Sequence, residues 1–592
     1  MTSTENISYR FGPFSVDEAD RVLRRDGQPI PLTPKAFDLL LALVKNPRRL
    51  MTKQQLMSCV WPNIFIEENN LAVHISNLRK TLGKDANESE FITTLPKRGY
   101  CFAADVREGI GQGATQPAAS RSVAVLPFAI ISSEDLEDHL GLGLTDAIIT
   151  RLSQITQIVV RPTTAVTRYV GGECDPVEAG KALLVETVLS GRIKRSGAQI
   201  RVTVQLVDVV GNNLLWADKL DHDFTDLFSY EDFISEHVAR ALNLTLTGDQ
   251  MERLTKRHTQ SGSAYWEYLK GRYYWNKRTP AGFAKAMHYF QSAIEKDPLY
   301  SLAYSGLADC YALLNYYGSS PPSAGMASAR SAAIKAVKAD DTLAEAHASL
   351  ALTKFWYEWN WLEAEAEFEQ ALHLNPAYAT AHQWYCWYLA ALGRFDEAWT
   401  MGKRALELDP MAPAINMALG KMYLLARKYD DSLRQCQRTL ELDPDFIPAH
   451  FFLGQIYELQ GRFEEAIEQH QVCLALTSGF PLGTAAVAKA LALGGYRSQA
   501  EAALDSLLNL TTTSQRYVPA YAIALVHLGL GNKTEAIEWL NKALDERFCW
   551  LVYLNVDPIY DALRNEQGFG QLVNRMAFPR VTRQVVLSTA AD

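Results

Sequence analysis

The sequence predicts a multidomain protein with an α+β domain first, an α/β domain in the middle and an all-α solenoid after it. Three patterns predict this order. An amphipathic helix, a strand and a basic turn lie within residues 69–102. Strand and helix patterns alternate from residue 121, and a 34-residue repeat follows. With 592 residues, 48% hydrophobic and 21% charged, the composition is typical of folded proteins with several domains.

The first domain, residues 1–105, begins with strand and helix signals. Residues 9–25 hold two alternating apolar and polar segments, which predict a small antiparallel sheet. Thr33 is a predicted N-cap and Pro34 occupies the first helical position, so a first helix is expected there. A second start signal at residues 51–55 predicts a short second helix. Together with the next helix, these elements predict a winged helix-turn-helix.

The third helix has one apolar and one polar face. At 100 degrees per residue, four apolar side chains share a stripe: Leu71, Ile75, Leu78 and Leu82. Five side chains lie opposite: Asn69, Val73, Ser76, Asn77 and Lys80. Amides, a hydroxyl, a compact apolar group and a cation can read base edges or grip phosphate in a major groove. Any amphipathic surface helix shows a similar pattern, so the neighbouring segments carry the argument.

Four segments within residues 1–105 resemble the winged-helix domain of OmpR/PhoB-type regulators, in the form found in HilA-like and CadC-like transcription factors. They are Leu32-Thr33-Pro34-Lys35, Trp61-Pro62, residues 73–80, and Leu95-Pro96-Lys97-Arg98-Gly99-Tyr100. The resemblance implies that the third helix is a recognition helix for promoter DNA and that the basic turn is the wing.

Carried over by position, the resemblance makes Ser76, Asn77 and Lys80 DNA contacts, with Arg79 beside them and Lys97 and Arg98 in the wing. Asn69 and Val73 share the same face. Many relatives have arginine where this chain has Ser76 and Asn77, and losing a bidentate guanine reader changes base preference. The family's target sequences therefore do not transfer. Asn77 facing an adenine edge and Val73 facing a thymine methyl is our hypothesis for this face.

Charge and cysteine usage limit the function classes. Residues 1–105 carry 14 Lys and Arg against 12 Asp and Glu, whereas the whole chain has a net charge of −9, so the acidic remainder is not what meets DNA. The eight cysteines form no zinc spacing and are expected to be apolar core residues. We find no signal peptide, membrane-spanning run or preceding receiver domain, so we expect a cytoplasmic protein with no membrane partner and no receiver phosphorylation in cis.

Residues 106–121 are rich in Gly, Ala, Gln and Ser, and they predict a flexible linker. The α/β domain, residues 122–250, resembles the TolB-like domain of bacterial regulators and cyclases at Val125-Leu126-Pro127-Phe128 and Leu189-Ser190-Gly191-Arg192. Within it, the glycines of residues 141–146 could cradle an anion. The simpler interpretation is that they turn the chain into a helix capped by Thr145 or Asp146.

Residues 260–548 contain about eight units of a 34-residue repeat with tetratricopeptide-type signatures. Pro376, Pro410 and Pro444 recur at that spacing, and a small residue follows leucine at Gly420 and Gly454. Stacked helix pairs should form a solenoid whose inner face binds a protein or peptide. The lining positions are predicted to be Trp387, Met417, Lys421, Phe451 and Gln455, although Trp387 and Phe451 could be core. Residues 549–592 are expected to supply capping helices and a tail.

These patterns favour a sequence-specific DNA-binding transcriptional regulator that acts by binding. No nucleophile, base and orienting group recur at a catalytic spacing, so we predict no enzyme activity, catalytic residue, metal or cofactor. One alternative is a repeat scaffold whose winged helix does not read DNA specifically. Another is a signalling enzyme, because similar middle and repeat regions accompany nucleotide cyclases, although no cyclase metal-binding aspartates are found. Homo-oligomer formation on DNA, the target genes and the direction of regulation are left open.

Overall fold

The computed structural model divides the chain into two compact units, Met1–Ala119 and Ser120–Asp592. The residues it describes are 7–17, 22–25, 28–30, 34–60, 71, 75, 78–79, 81–83, 91–95, 98–104, 106–110, 121–131, 139–153, 155, 157–171, 174–196, 199–223, 227–242, 244, 256–318, 320–477, 479–513 and 517–579.

The first unit has two small sheets around one apolar core. Five antiparallel strands lie in the order β4-β3-β2-β1-β8, and three further strands in the order β5-β7-β6. The strands are β1 (Ile7–Phe11), β2 (Phe14–Asp17), β3 (Val22–Arg25), β4 (Gln28–Ile30), β5 (Leu50–Thr52), β6 (Ile92–Leu95), β7 (Gly99–Phe102) and β8 (Arg107–Ile110). Helices α1 (Pro34–Val44) and α2 (Lys53–Val60) lie where the start signals predict. The predicted cap at Thr33 lies outside the described residues.

The strand β8 shortens the predicted linker. Its residues pair antiparallel with β1, from Ile7 opposite Ile110 to Arg10 opposite Arg107. The prediction that all of residues 106–121 form a flexible tether is therefore wrong for this strand. Local composition misled because the pairing partner lies about a hundred residues earlier, and backbone groups of a free strand edge favour pairing whatever the side chains are. Residues 111–120 lie outside the described residues.

The middle domain is a mixed sheet with helices, as the alternating pattern predicts. Its strands lie in the order β11-β9-β12-β13-β14, and β10 pairs with β12. They are β9 (Arg121–Val125), β10 (Ala129–Ile131), β11 (Ile158–Val160), β12 (Thr187–Ser196), β13 (Gln199–Asp208) and β14 (Asn213–Asp223). The helices are α3 (His139–Leu152), α4 (Thr163–Val166), α5 (Pro176–Ala182) and α6 (Leu227–Ala241).

The glycines of α3 serve close packing and do not turn the chain into the helix. Gly141 lies inside α3, and a Cβ on it would approach the Phe128 carbonyl oxygen to 2.2 Å. The Thr145 hydroxyl donates to the Gly141 carbonyl at 2.8 Å and accepts from the Phe128 N–H at 3.3 Å. The predicted cap at Thr145 or Asp146 is therefore wrong.

The solenoid contains eight helix pairs within the described part of residues 262–545, which confirms the repeat prediction. The pairs are α7 (Gly262–Trp275) with α8 (Pro280–Lys296), α9 (Ser301–Tyr316) with α10 (Pro322–Ala339), α11 (Ala344–Thr353) with α12 (Trp361–Leu374), α13 (Ala379–Ala391) with α14 (Phe395–Leu408), α15 (Pro413–Leu425) with α16 (Tyr429–Leu442), α17 (Ile447–Leu459) with α18 (Phe463–Leu476), α19 (Pro481–Leu493) with α20 (Arg497–Thr513), and α21 (Ala520–Leu530) with α22 (Lys533–Asp545). Small residues allow close approach, as at Gly454, where a Cβ would lie 2.5 Å from the His470 ring.

The segment after the last repeat does not act only as an end cap. Residues Cys549–Tyr553 and Pro558–Leu563 form two 3-10 helices, followed by α23 (Gln567–Arg575). The Trp550 ring lies 5.4 Å from Tyr316 of the second repeat, and Arg427 of the fifth repeat pairs with Asp561 at 2.5 Å. We call residues 549–563 the inner segment. It runs back along the inner face, so the expected capping role is corrected.

The cysteine prediction needs one correction. Five cysteines are buried, namely Cys310, Cys386, Cys436, Cys473 and Cys549, and Cys101 is half-buried. Cys174 is exposed, so it is not a core residue. It precedes α5, whose N-cap Asp175 accepts hydrogen bonds from two backbone N–H groups. Cys174 lies just before the start of a helix, and for this reason the prediction that it is a core residue was wrong.

Candidate DNA-binding surface and repeat groove

The apolar stripe of the recognition helix is buried as the sequence predicts. Its four members, Leu71, Ile75, Leu78 and Leu82, are at most 2% exposed and join the core of the first unit. Because these four side chains pack into the core, the opposite face of the helix points away from it. The predicted contacts Asn69, Val73, Ser76, Asn77 and Lys80, and Lys97 of the wing, lie outside the described residues.

Arg79 connects the recognition helix to the first wing strand. Its Nε and one terminal nitrogen donate to the Ile92 carbonyl at 2.9 and 2.8 Å, and the same terminal nitrogen donates to the Thr94 hydroxyl at 2.7 Å. A guanidinium holds several donors in one rigid plane, so these bonds fix both the distance and the orientation of the two elements. Sequence reasoning placed Arg79 beside the DNA contacts and did not find this role.

The wing is a hairpin of β6 and β7 whose turn carries an exposed Arg98. Gly99 starts the second strand with φ +151°, and a Cβ there would lie 2.1 Å from the Met51 carbonyl oxygen. Only glycine allows β7 to approach β5 this closely. The start of β7 is therefore held against β5 by a backbone contact, and Arg98, which directly precedes it, is exposed.

Two more basic side chains lie exposed near the wing, in the loop after α1. Arg48 has φ +58°, and its backbone N–H donates to the Phe102 carbonyl at 2.9 Å. Arg49 follows and is also exposed. Arg48 and Arg49 are neighbouring cations, and the backbone hydrogen bond from Arg48 to β7 connects their loop to the hairpin.

The five predicted groove residues converge on one face, but that face is not open. Trp387, Met417, Lys421 and Gln455 are 9%, 4%, 3% and 5% exposed, and Phe451 is half-buried. The inner segment contacts three of them, Lys421, Phe451 and Gln455. The Phe451 and Trp550 rings lie 5.0 Å apart, and the Gln455 amide donates to Asp557 at 3.3 Å. The prediction that these side chains line an accessible groove is therefore wrong.

Lys421 shows how completely the inner face is filled. Its Nζ lies 3.6 Å from the centre of the Tyr553 ring and 5.6 Å from that of Trp550. Burial lowers the pKa of Lys421 to about 7, opposed by the nearby carboxylate of Asp557. Aromatic faces and one carboxylate replace water around the ammonium group. In the sequence, the residues that make this contact are Trp550, Tyr553 and Asp557. They lie in the segment that the sequence predicts to be a cap.

Among the described residues, no three His, Cys, Asp or Glu side chains come together in a way that could hold a metal ion. In the described part of the chain, no helix is both long and apolar enough to span a bilayer.

Comparisons with protein families assign three kinds of domain. Residues 27–102 match the family described as "Transcriptional regulatory protein, C terminal", and residues 119–236 match "HilA/YgeH-like transcriptional regulator, second domain". Tetratricopeptide repeats match at residues 354–413, 387–445, 418–471 and 520–547. The winged-helix, HilA-like and repeat assignments are thereby confirmed. The TolB-like resemblance of the middle domain stays a prediction.

The chain is similar to proteins named as regulators and to one named as a cyclase. Transcriptional regulator HilA of Salmonella typhi is 26% identical over 415 residues, which cover 69% of this chain and 72% of HilA. A Rhizobium meliloti protein provisionally named adenylate cyclase 3 is 28% identical over 241 residues, 40% of this chain and 41% of its own length. The solved DNA-binding domain of E. coli CadC is 27% identical and matches 18% of this chain and 98% of that domain, with a TM-score of 0.16.

Proposed function

We propose that this chain, which joins an OmpR/PhoB-type winged-helix domain to a HilA-like second domain and tetratricopeptide repeats, binds promoter DNA sequence-specifically and regulates transcription in the cytoplasm. The observation that supports the proposal most is the Arg79 bridge to Ile92 and Thr94. It holds the recognition helix and the wing in one arrangement before DNA arrives. Such preorganisation lowers the ordering cost of binding.

The proposed contacts divide into three roles. Lys80, Lys97 and Arg98 bind phosphates, where a cation adds affinity without reading sequence. Base edges are read by the uncharged side chains of the helix face, namely Asn69, Val73, Ser76 and Asn77. Arg79 positions the helix, because its guanidinium donates to β6.

Salt-dependent DNA binding tests the proposal. The full chain is titrated against DNA fragments recovered genome-wide with the intact protein, using fluorescence anisotropy between about 50 and 200 mM salt. The Lys97→Ala/Arg98→Ala double variant should bind every fragment more weakly, with a salt slope shallower by about two. A variant that changes an exposed cation of the repeats, Arg438→Gln, is the matched control. Binding that is absent, or insensitive to salt, would favour the scaffold alternative.

Base-reading variants test the specificity part separately. Ser76→Ala and Asn77→Ala should change the preferred sequence, with about 1 to 3 kcal/mol lost at the affected base pair and an unchanged salt slope. The measurement is selection from a randomised duplex pool, compared with wild type. If both variants select the wild-type sequence, the recognition helix does not read DNA through these side chains.

The repeats are proposed to bind a protein or peptide partner. Tetratricopeptide solenoids offer an extended inner face for such binding. Here a partner would have to displace the inner segment, whose Trp550 and Tyr553 contact the predicted groove residues. Hydrogen exchange of residues 549–563, measured with and without a partner, distinguishes displacement from binding elsewhere. Self-association on DNA is a further part of the proposal, and sedimentation with and without a promoter fragment measures it.

A further inference from the structure

A cavity of about 390 Å³ lies where the middle domain meets the repeats, within the second unit. Its walls come from α3, α4 and the loop after it on one side, and from helices and connecting loops of repeats one, three, four and five on the other. The volume is within the range of small-molecule sites, which also occur preferentially between domains.

Specific polar contacts hold the two sides of the cavity together. The Arg161 guanidinium donates to the Leu183 carbonyl of its own domain at 2.9 Å and to the Leu408 carbonyl of the repeats at 3.1 Å. Thr164 donates to Asp409 at 2.7 Å. Because these side chains are buried or half-buried, the interface is a fixed packing of the two domains and the cavity is a built feature of it.

The most unusual group in the cavity wall is the guanidinium of Arg278. It stacks on the Trp275 ring, 3.6 Å from the ring centre, and its Nε is buried with no hydrogen-bond partner. Among the described residues, no carboxylate forms an ion pair with it. Arg272, by contrast, lies 4.4 Å from the centre of the same ring and pairs with Asp146 at 2.9 Å. Burial, followed by the repulsion of Arg272, lowers the pKa of Arg278 to about 10.

Arg278 lies in the turn between the two helices of the first repeat. Its φ is +52°, and positive φ recurs at the same turn position of later repeats, at Gly393, Arg427 and Gly461. The Asp309 carboxylate attracts this guanidinium but forms no ion pair with it. A largely desolvated cation without a direct ion pair is unfavourable, and a bound anion would relieve it.

Two further side chains in the wall have unused hydrogen-bonding capacity. Both amide atoms of Asn276 and the Oε2 atom of Glu345 are buried without a partner. An amide can both donate and accept, whereas a carboxylate oxygen accepts. A ligand that satisfies them needs hydroxyl or amino groups in addition to its negative charge.

We propose that this cavity binds a small organic anion whose carboxylate or phosphate group is held by Arg278 and whose hydroxyl or amino groups face Asn276 and Glu345. Such a ligand would contact the middle domain and the repeats together. It would therefore stabilise their packing and act as an effector of the regulator. The bidentate geometry of guanidinium suits both anion types, and the titration below separates them.

The test is a titration of the full chain in low-salt buffer, followed by calorimetry and thermal unfolding. The probes are inorganic phosphate, glucose 6-phosphate, citrate, glutamate and, as a cationic comparison, putrescine. At least one anionic probe should raise the melting temperature by about 2 °C or more at saturation. Comparing the affinities of the two phosphate probes with those of citrate and glutamate identifies the class of anion. No DNA is needed, so failure here leaves the proposed DNA binding unaffected.

Variants connect binding to the proposed site. Arg278→Gln should weaken the active probe by at least about tenfold, because a charge-assisted bidentate contact is lost. Arg278→Lys keeps the positive charge but loses the planar guanidinium, so it should bind the probe with intermediate affinity. If Arg278→Gln does not fold, the affinity of Arg278→Lys tests the proposal. Arg438→Gln, at an exposed ion pair with Glu441, should bind as wild type. The proposal is wrong if no anion stabilises the wild type, if the Arg278 variants bind equally well, or if only putrescine binds.

Discussion

Replacing Arg79 with glutamine tests whether this side chain positions the recognition helix or contacts DNA itself. In the structure its guanidinium makes three hydrogen bonds to β6, two to the Ile92 carbonyl and one to the Thr94 hydroxyl. A hydrogen bond to a charged group contributes about 1.5 to 3 kcal/mol when buried. Arg79 is only half-buried, so we expect the three bonds together to contribute about 1 to 2 kcal/mol to the stability of this domain.

The effect on DNA binding follows from the position of the Arg79 guanidinium, which bonds to β6. Arg79→Gln should loosen the recognition helix against the wing, and it should lower affinity for all sequences by up to about tenfold. The salt slope should stay as in wild type, since no phosphate contact is lost. Arg98→Gln is the matched comparison, because the same substitution at the exposed wing arginine should make the slope shallower by about one.

Two measurements decide the outcome. Urea unfolding of the full chain, followed at the first unit, gives the stability change, and anisotropy over a salt series gives the slope. If the salt slope of Arg79→Gln is shallower by about one and its stability is unchanged, Arg79 contacts phosphate in the complex. The positioning role inferred from the bonds to β6 would then be refuted.

Three further perturbations test the packing. Trp550→Ala should lower the unfolding free energy of the repeats by about 3 kcal/mol, because its ring contacts are lost. Trp399, which is 44% exposed, is the control, and Trp399→Ala should lower it by about 1 kcal/mol or less. Denaturant unfolding measures both. Gly99→Ala should cost more than about 2 kcal/mol in the same assay because its Cβ meets the Met51 carbonyl; wild-type stability would contradict this backbone contact. Burial raises the pKa of Asp409 from 3.8 to about 6, so the stability that it contributes is present below about pH 4 and lost as pH rises through 6. Asp409→Asn should therefore become more stable than wild type by up to about 3 kcal/mol between pH 4 and 8 in thermal melts, and parallel pH profiles would argue against the shift.

Periodic signals predicted the architecture well because burial imposes them along the chain. The stripe from Leu71 to Leu82 is buried as expected, and the 34-residue spacing of Pro376, Pro410 and Pro444 gave the repeats. The stripe arises within a few helical turns, where 3.6-residue geometry relates sequence to surface. The 34-residue spacing arises because each helix pair packs on the next in the same way.

Predictions of exposure were less successful. Lys421 and Gln455 were correctly placed on the inner face, yet they are covered by residues more than a hundred positions later. The strand β8 was missed for a similar reason, since its partner β1 lies at the start of the chain. Sequence periodicity gives the direction of a side chain and does not identify what packs against it.

By itself, the sequence determined the order of domains, the apolar faces of their helices and the basic wing, because these depend on local spacing and side-chain chemistry. Tertiary structure alone decided that Arg79 joins the recognition helix to β6, that the inner segment covers part of the repeat face, and that Arg278 lines a cavity between domains with no ion pair among the described residues. Each of these depends on contacts between residues far apart in sequence, whose distance and desolvation are set only when the chain has folded.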